Sequence, residues 1–117
     1  MIRPNVNVYK LWNGAAIDKN GSITSGPIDL RFIGAAGYFA LHLITAGTGT
    51  TTITYSVAPE LAGTYITPAA AVDIETALAV GSYHISFSPL VTPFIKIIIT
   101  EDNVNSITSV QAWFIVK

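Results

Sequence analysis

The chain has 117 residues, 50% of them hydrophobic and only 11% Asp, Glu, Lys or Arg, with no cysteine and a net charge of -1. A typical soluble domain spends about a quarter of its residues on charge, so much of this surface is neutral, and part of it is expected to be covered by other subunits. The absence of cysteine excludes disulfides, Cys-ligated zinc and thiol nucleophiles, and the scattered cations Arg3, Lys10, Lys19, Arg31, Lys96 and Lys117 form no stripe that would track phosphates, which argues against nucleic-acid binding.

The length fits one domain, residues 1–117, with residues 1–5 as an extended N-terminal arm. Met1 to Asn5 has one basic residue but no apolar stretch behind it, so it does not read as a secretory signal. The longest weakly polar run, Phe32 to Leu41, is about half the roughly 20 residues of a membrane helix and is interrupted by Gly34 and Gly37. No membrane association is expected.

From Asn5 to Trp12 the residues alternate, with Val6, Val8 and Lys10 on one side and Tyr9 and Leu11 on the other, which predicts a first strand ended by Asn13-Gly14. Asp18-Lys19-Asn20-Gly21 reads as a tight turn, because Asn, Asp and Gly tolerate left-handed backbone. Ile28 to Phe32 predicts a second strand with one wet face, where Asp29 and Arg31 reach neighbouring strands. Tyr38 to Ala46 predicts a third, with Phe39, Leu41 and Leu43 inward and an unusually apolar second face of Tyr38, Ala40, His42 and Ile44. Gly47-Thr48-Gly49-Thr50 then reads as a hairpin turn into a fourth strand, Thr51 to Ala58, paired antiparallel with the third.

Leu61 to Thr67 suggests a short edge strand closed by Pro68, and Ala69 to Leu78 fits either a brief helix or a strand, with extended structure favoured. Ser82 to Ser88 alternates strictly and is a strand. Pro93 to Thr100 is apolar on both faces, as expected of a central strand or one covered by a partner. Glu101 to Asn105 is a polar turn, and Ser106 to Lys117 closes the sheet. About seven to nine strands without a convincing helix predict an all-β fold, a single antiparallel β-sandwich of jelly-roll type.

Chemistry is sparsely supported. Among the carboxylates Asp18, Asp29, Glu60, Asp73, Glu75, Glu101 and Asp102, only Asp73/Glu75 and Glu101/Asp102 are close in sequence. A same-face pair two residues apart on a strand has the geometry to serve as acid and base or to hold a cation, but solvated surface carboxylates are the simpler reading. The Asp18 to Gly21 segment lacks the further ligands of a calcium loop. His42 and His84 supply two ligands at most, an incomplete metal site unless subunits pool them. No Ser sits in a nucleophile elbow, and Gly47-Thr48-Gly49 has no following helix to hold phosphate. No catalytic residue, metal ligand or cofactor is therefore assigned, and no enzyme activity is expected. Trp12, Tyr38, Tyr55, Tyr65, Tyr83 and Trp113 are candidates for a sugar-stacking platform, against the alternative that they line the core or its rim.

The segments Gly49 to Ser56, Gly81 to Pro89, Pro93 to Thr100 and Ile107 to Val116 together resemble short all-β proteins of tailed bacteriophage particles. Discoidin-like carbohydrate-binding sandwiches have a comparable closing strand pair. The first resemblance implies a viral structural protein that decorates or cements the capsid, or another virion component, made in the host cytoplasm and released by lysis. Its implied partners are the major capsid protein or another virion protein and further copies of itself, a trimer being the favoured homo-oligomer. The expected interface comprises Ile2, Pro4 and Val6 of the arm and Tyr38, Ala40, His42 and Ile44 of the apolar second face. The alternative is a carbohydrate- or receptor-binding module that uses its surface aromatics on a glycan.

Overall fold

The computed structural model describes residues 6–31, 39–68, 74–88, 92–102 and 105–116, and it is all-β among them. Seven strands follow in chain order: β1 (Asn7–Ile17), β2 (Ser22–Thr24), β3 (Ile28–Asp29), β4 (Phe39–Ala58), β5 (Glu75–Phe87), β6 (Phe94–Glu101) and β7 (Ile107–Val116). All pairings are antiparallel, and all seven strands join one sheet in the order β1-β7-β4-β6-β2, with β5 along the other side of β4 and β3 on β6.

The organising element is β4, 20 residues long. Its first half, Phe39 to Gly47, pairs with β7, and its second half, Thr51 to Ala58, pairs with β6. Because β5 runs along its opposite edge in both halves, β6 and β7 succeed each other on one edge. The odd-numbered residues of both halves point the same way: Leu41, Leu43, Ile53 and Tyr55 are buried in one cluster with Ile95, Ile97 and Ile99 of β6 and Val110, Ala112, Phe114 and Val116 of β7. A single sheet whose two halves bury the same face against each other must curl over on itself. The core is thus built by one curled sheet, where the sequence suggested a sandwich.

The hairpin predicted at Gly47 to Thr50 is not a turn. The chain runs on through it, and the two halves of β4 pair with other strands instead of with each other. The glycines serve close approach. A Cβ on Gly47, whose φ is +128°, would lie 2.6 Å from the Ser106 carbonyl oxygen, and one on Gly49 would lie 2.7 Å from Glu101 Oε1. Glu101 ends β6 and Ser106 immediately precedes β7, so these two strand ends pack against this bend of β4. Relative to β5, β4 carries extra residues between Thr45 and Thr50, and such irregularities let a sheet bend.

Other elements shift less. Strand β1 continues to Ile17 instead of ending at Asn13-Gly14, with register shifts between Lys10 and Trp12, Asn13 and Ala15, and Ala15 and Ile17, Gly14 adopting a φ of +99°. The turn at Asp18 to Gly21 forms as expected, with the Gly21 N–H donating to the Asp18 carbonyl at 2.9 Å and Asn20 left-handed at 66°. The sequence missed β2 because it is only three residues long, and the second strand shrinks to Ile28–Asp29. Asp29 and Arg31 bind each other at 2.9 Å, and the Arg31 guanidinium also reaches the neighbouring strand β6, 4.8 Å from the Phe94 ring centroid. Within Leu61 to Thr67, Ile66 makes one bridge to Val57. Glu75 to Leu78 is extended, whereas 69–73 lie outside the described residues. Strand β6 is central, flanked by β4 on one side and β2 and β3 on the other.

Candidate interaction face

The strands β5, β4, β7 and β1 lie side by side, and their registers fix which outward residues share a row. Val8, Ile115, Ala40 and Ser86 align in the first row. Lys10, Trp113, His42 and His84 align in the second, and Asn13, Gln111, Ile44 and Ser82 in the third. Side chains alternate across a strand, so these residues face away from the core that Leu41, Leu43 and Phe114 occupy. Ala40, His42, Ile44, Trp113 and Ile115 are half-buried by their neighbours, while Val8 is 58% exposed. Among the described residues of these rows, Lys10 is the one charged side chain and no carboxylate occurs.

The middle row is a chain of ring contacts. His42 and His84 stand opposite each other with their Nδ1 atoms 3.0 Å apart, so one imidazole donates to the other. The His42 ring meets the Trp113 ring edge-on at 5.5 Å, and Lys10 Nζ lies 5.3 Å from the Trp113 centroid. Cross-strand contacts of this kind contribute roughly 0.2–1 kcal/mol each. They order the rings without closing the face to a partner.

Of the interface residues expected from sequence, Ala40, His42 and Ile44 share this face. Val6 precedes β1 and is 56% exposed. Ile2, Pro4 and Tyr38 lie outside the described residues. The sequence reading missed Trp113 and Ile115, whose position followed from the alternation that sends Phe114 and Val116 inward.

Among the described residues, the aromatics named as a sugar-stacking platform do not share one face, and Tyr38 lies outside those residues. Tyr55 is buried at 4% exposure and Trp12 packs against the core. Tyr83 registers opposite core-facing Leu43. Tyr65 donates its hydroxyl to the Leu61 carbonyl and has Lys96 Nζ 4.1 Å from its ring centroid. That leaves Trp113 as the one of these aromatics in the ordered outer rows.

The other half of the sheet presents a second neutral outer face, with Ser22, Thr100 and Thr52 in one row and Thr24, Ile98 and Thr54 in the next. A hollow of about 230 Å³ lies beyond the end of β4, lined by Val57, Pro59, Ile66 and Pro93 among others, with threonine hydroxyls as its polar side chains.

The carboxylates are dispersed. Arg31 holds the Asp29 carboxyl below its ordinary value, chiefly through its side-chain hydrogen bonds. Glu101, read from sequence as part of a polar turn, is 3% exposed and accepts the Asn20 and Asn105 N–H groups at 3.1 Å each. Asp102 accepts from the Thr50 hydroxyl at 2.9 Å. Of the pair Asp73 and Glu75, Asp73 lies outside the described residues. Among the described residues, no three side chains of His, Asp or Glu gather at one place, and no helix is long and apolar enough to cross a membrane.

No model of a known protein family matches the chain, and no curated protein matches it either.

Proposed function

We propose that this chain is a non-enzymatic structural protein of a virus particle that decorates or cements capsid, or other virion, subunits through its neutral sheet faces. The observation that carries the reading is the composition of the three outer rows on β5, β4, β7 and β1: four strands wide, one cation, no carboxylate, and Ile115, Ala40, Trp113 and Ile44 at their centre. A partly apolar face without carboxylates can be desolvated against another protein at little electrostatic cost.

Its size argues for repeated use. Four strands about 4.8 Å apart and three rows about 6.7 Å apart give a footprint on the order of 200–300 Å², well below the roughly 800 Å² per partner of a stable one-to-one interface. At about 25 cal/mol per Å², such a patch offers several kcal/mol before association costs are subtracted. A contact of that strength holds when many copies bind one shell and each also touches its neighbours. Homo-oligomerisation, with a trimer favoured, supplies that multiplicity.

Fractionation of the native source by sedimentation, with mass spectrometry of each fraction, tests the reading. Recovery with large particles at a fixed ratio to a major shell protein supports it. Recovery only as a small soluble species refutes it.

A further inference from the structure

We propose that His42 and His84 form a bidentate site for a divalent transition-metal cation of the copper(II) or nickel(II) type. The site goes beyond the assembly role and does not depend on what covers the face. The two histidines occupy directly opposed positions on β4 and β5, and both turn the same nitrogen, Nδ1, toward the other at 3.0 Å. Imidazole nitrogens bind such ions at about 2.0–2.1 Å, so two of them 3.0 Å apart subtend about 90–97° at a shared ion. That is the angle between neighbouring ligands in square-planar or octahedral coordination, the geometries that Cu²⁺ and Ni²⁺ prefer. Tetrahedral Zn²⁺ requires about 109° and a separation of about 3.3–3.4 Å, so the strands would have to part slightly to accept it.

His42 is held by Trp113 at 5.5 Å, while His84 is exposed, leaving the remaining coordination positions open to water. The flanking outward residues are Ala40 and Ile44 on β4 and Ser82 and Ser86 on β5. Lys10, the charged side chain of these rows, stands on β1 beyond Trp113. Without metal, one ring carries its proton on Nδ1 and donates it to the other. With ring centroids 5.3 Å apart the two rings point straight at each other, so on binding each ring turns by about 40° to aim its Nδ1 at the ion, the shared proton moves to Nε2 of the same ring, and no proton is gained or lost.

The test uses untagged full-length protein titrated with CuCl₂ and with ZnCl₂ in a non-coordinating buffer at pH 7.5, read by calorimetry and tryptophan fluorescence. The expected result is saturable one-to-one Cu²⁺ binding with quenching of Trp113, and Zn²⁺ binding at least tenfold weaker. His84→Gln, a change at an exposed position, should weaken Cu²⁺ binding at least tenfold while the far-ultraviolet circular dichroism is unchanged, and His42→Gln should do the same. Unaltered affinity in both variants, or no saturable binding by the parent chain, would overturn the assignment.

Discussion

The carboxylate of Glu101 accepts the backbone N–H of Asn20 at 3.1 Å across 81 positions of sequence. Its other oxygen accepts the Asn105 N–H, also at 3.1 Å, so one buried side chain joins the turn after β1 to the connection between β6 and β7. Glu101→Gln replaces one acceptor by an amide NH₂ that faces a donor. The expected loss is about 1–3 kcal/mol, read from the urea midpoint with the slope unchanged.

Gly47 is the second fixed point of this corner. Gly47→Ala places a methyl 2.6 Å from the Ser106 carbonyl oxygen and imposes a φ of +128° on an L-residue. Backbone atoms cannot rotate out of the way as a side chain can. Destabilisation by more than about 2 kcal/mol is expected in thermal or urea unfolding, against a small effect for Gly26→Ala, where a Cβ meets nothing within 4 Å.

Thr51 carries a buried hydroxyl with no hydrogen-bond partner among the described residues. Valine has nearly the same shape and equal liking for a strand. Thr51→Val should raise stability by about 1 kcal/mol, since the desolvated oxygen is removed and its volume kept. An unchanged or lowered urea midpoint would show that the hydroxyl is satisfied.

These three positions also mark what the sequence could and could not disclose. Period-two alternation was enough to place Leu41 and Leu43 inward and Ala40, His42 and Ile44 outward, since alternation is a local property of a strand, but it was silent on Pro93 to Thr100, where apolar residues on both faces hid that Ile97 and Ile99 are the core side. The route of β4 was not legible. Gly47 to Thr50 has turn composition, and its actual requirement, room for Ser106 and Glu101, comes from residues more than 50 positions later. The pairing of His42 with His84, 42 positions apart, depended in the same way on register. Glu101 looked like one member of a polar turn until the fold buried it.

Asp29 and Arg31 give a pH signature. Arg31 lowers the Asp29 carboxyl below its ordinary 3.8, so the folded state favours the ionised form. The resulting stability is fully present above about pH 4 and disappears as pH falls through the lowered folded value. Asp29→Asn should therefore unfold earlier than the parent chain at pH 6 and converge with it as pH falls through the lowered folded value, and added salt should narrow the gap at pH 6 because the pair is exposed. Thermal scans across pH 2–7 check this; a gap that persists at the acid end contradicts it.

The claim that the β5-β4-β7-β1 face binds the particle is tested most directly by add-back. Particles lacking the chain are mixed with the parent protein, with the double variant Ala40→Asp/Ile44→Asp, and with Thr24→Asp/Thr54→Asp on the other outer face as control, and the sedimented amount is quantified by mass spectrometry. Ala40 and Ile44 sit two rows apart on either side of His42, so the two added carboxylates span the neutral patch without entering the core. The account predicts that the parent and the control sediment with particles and that Ala40→Asp/Ile44→Asp, folded by circular dichroism, is reduced at least tenfold. Sedimentation of that variant at the parent level would contradict it.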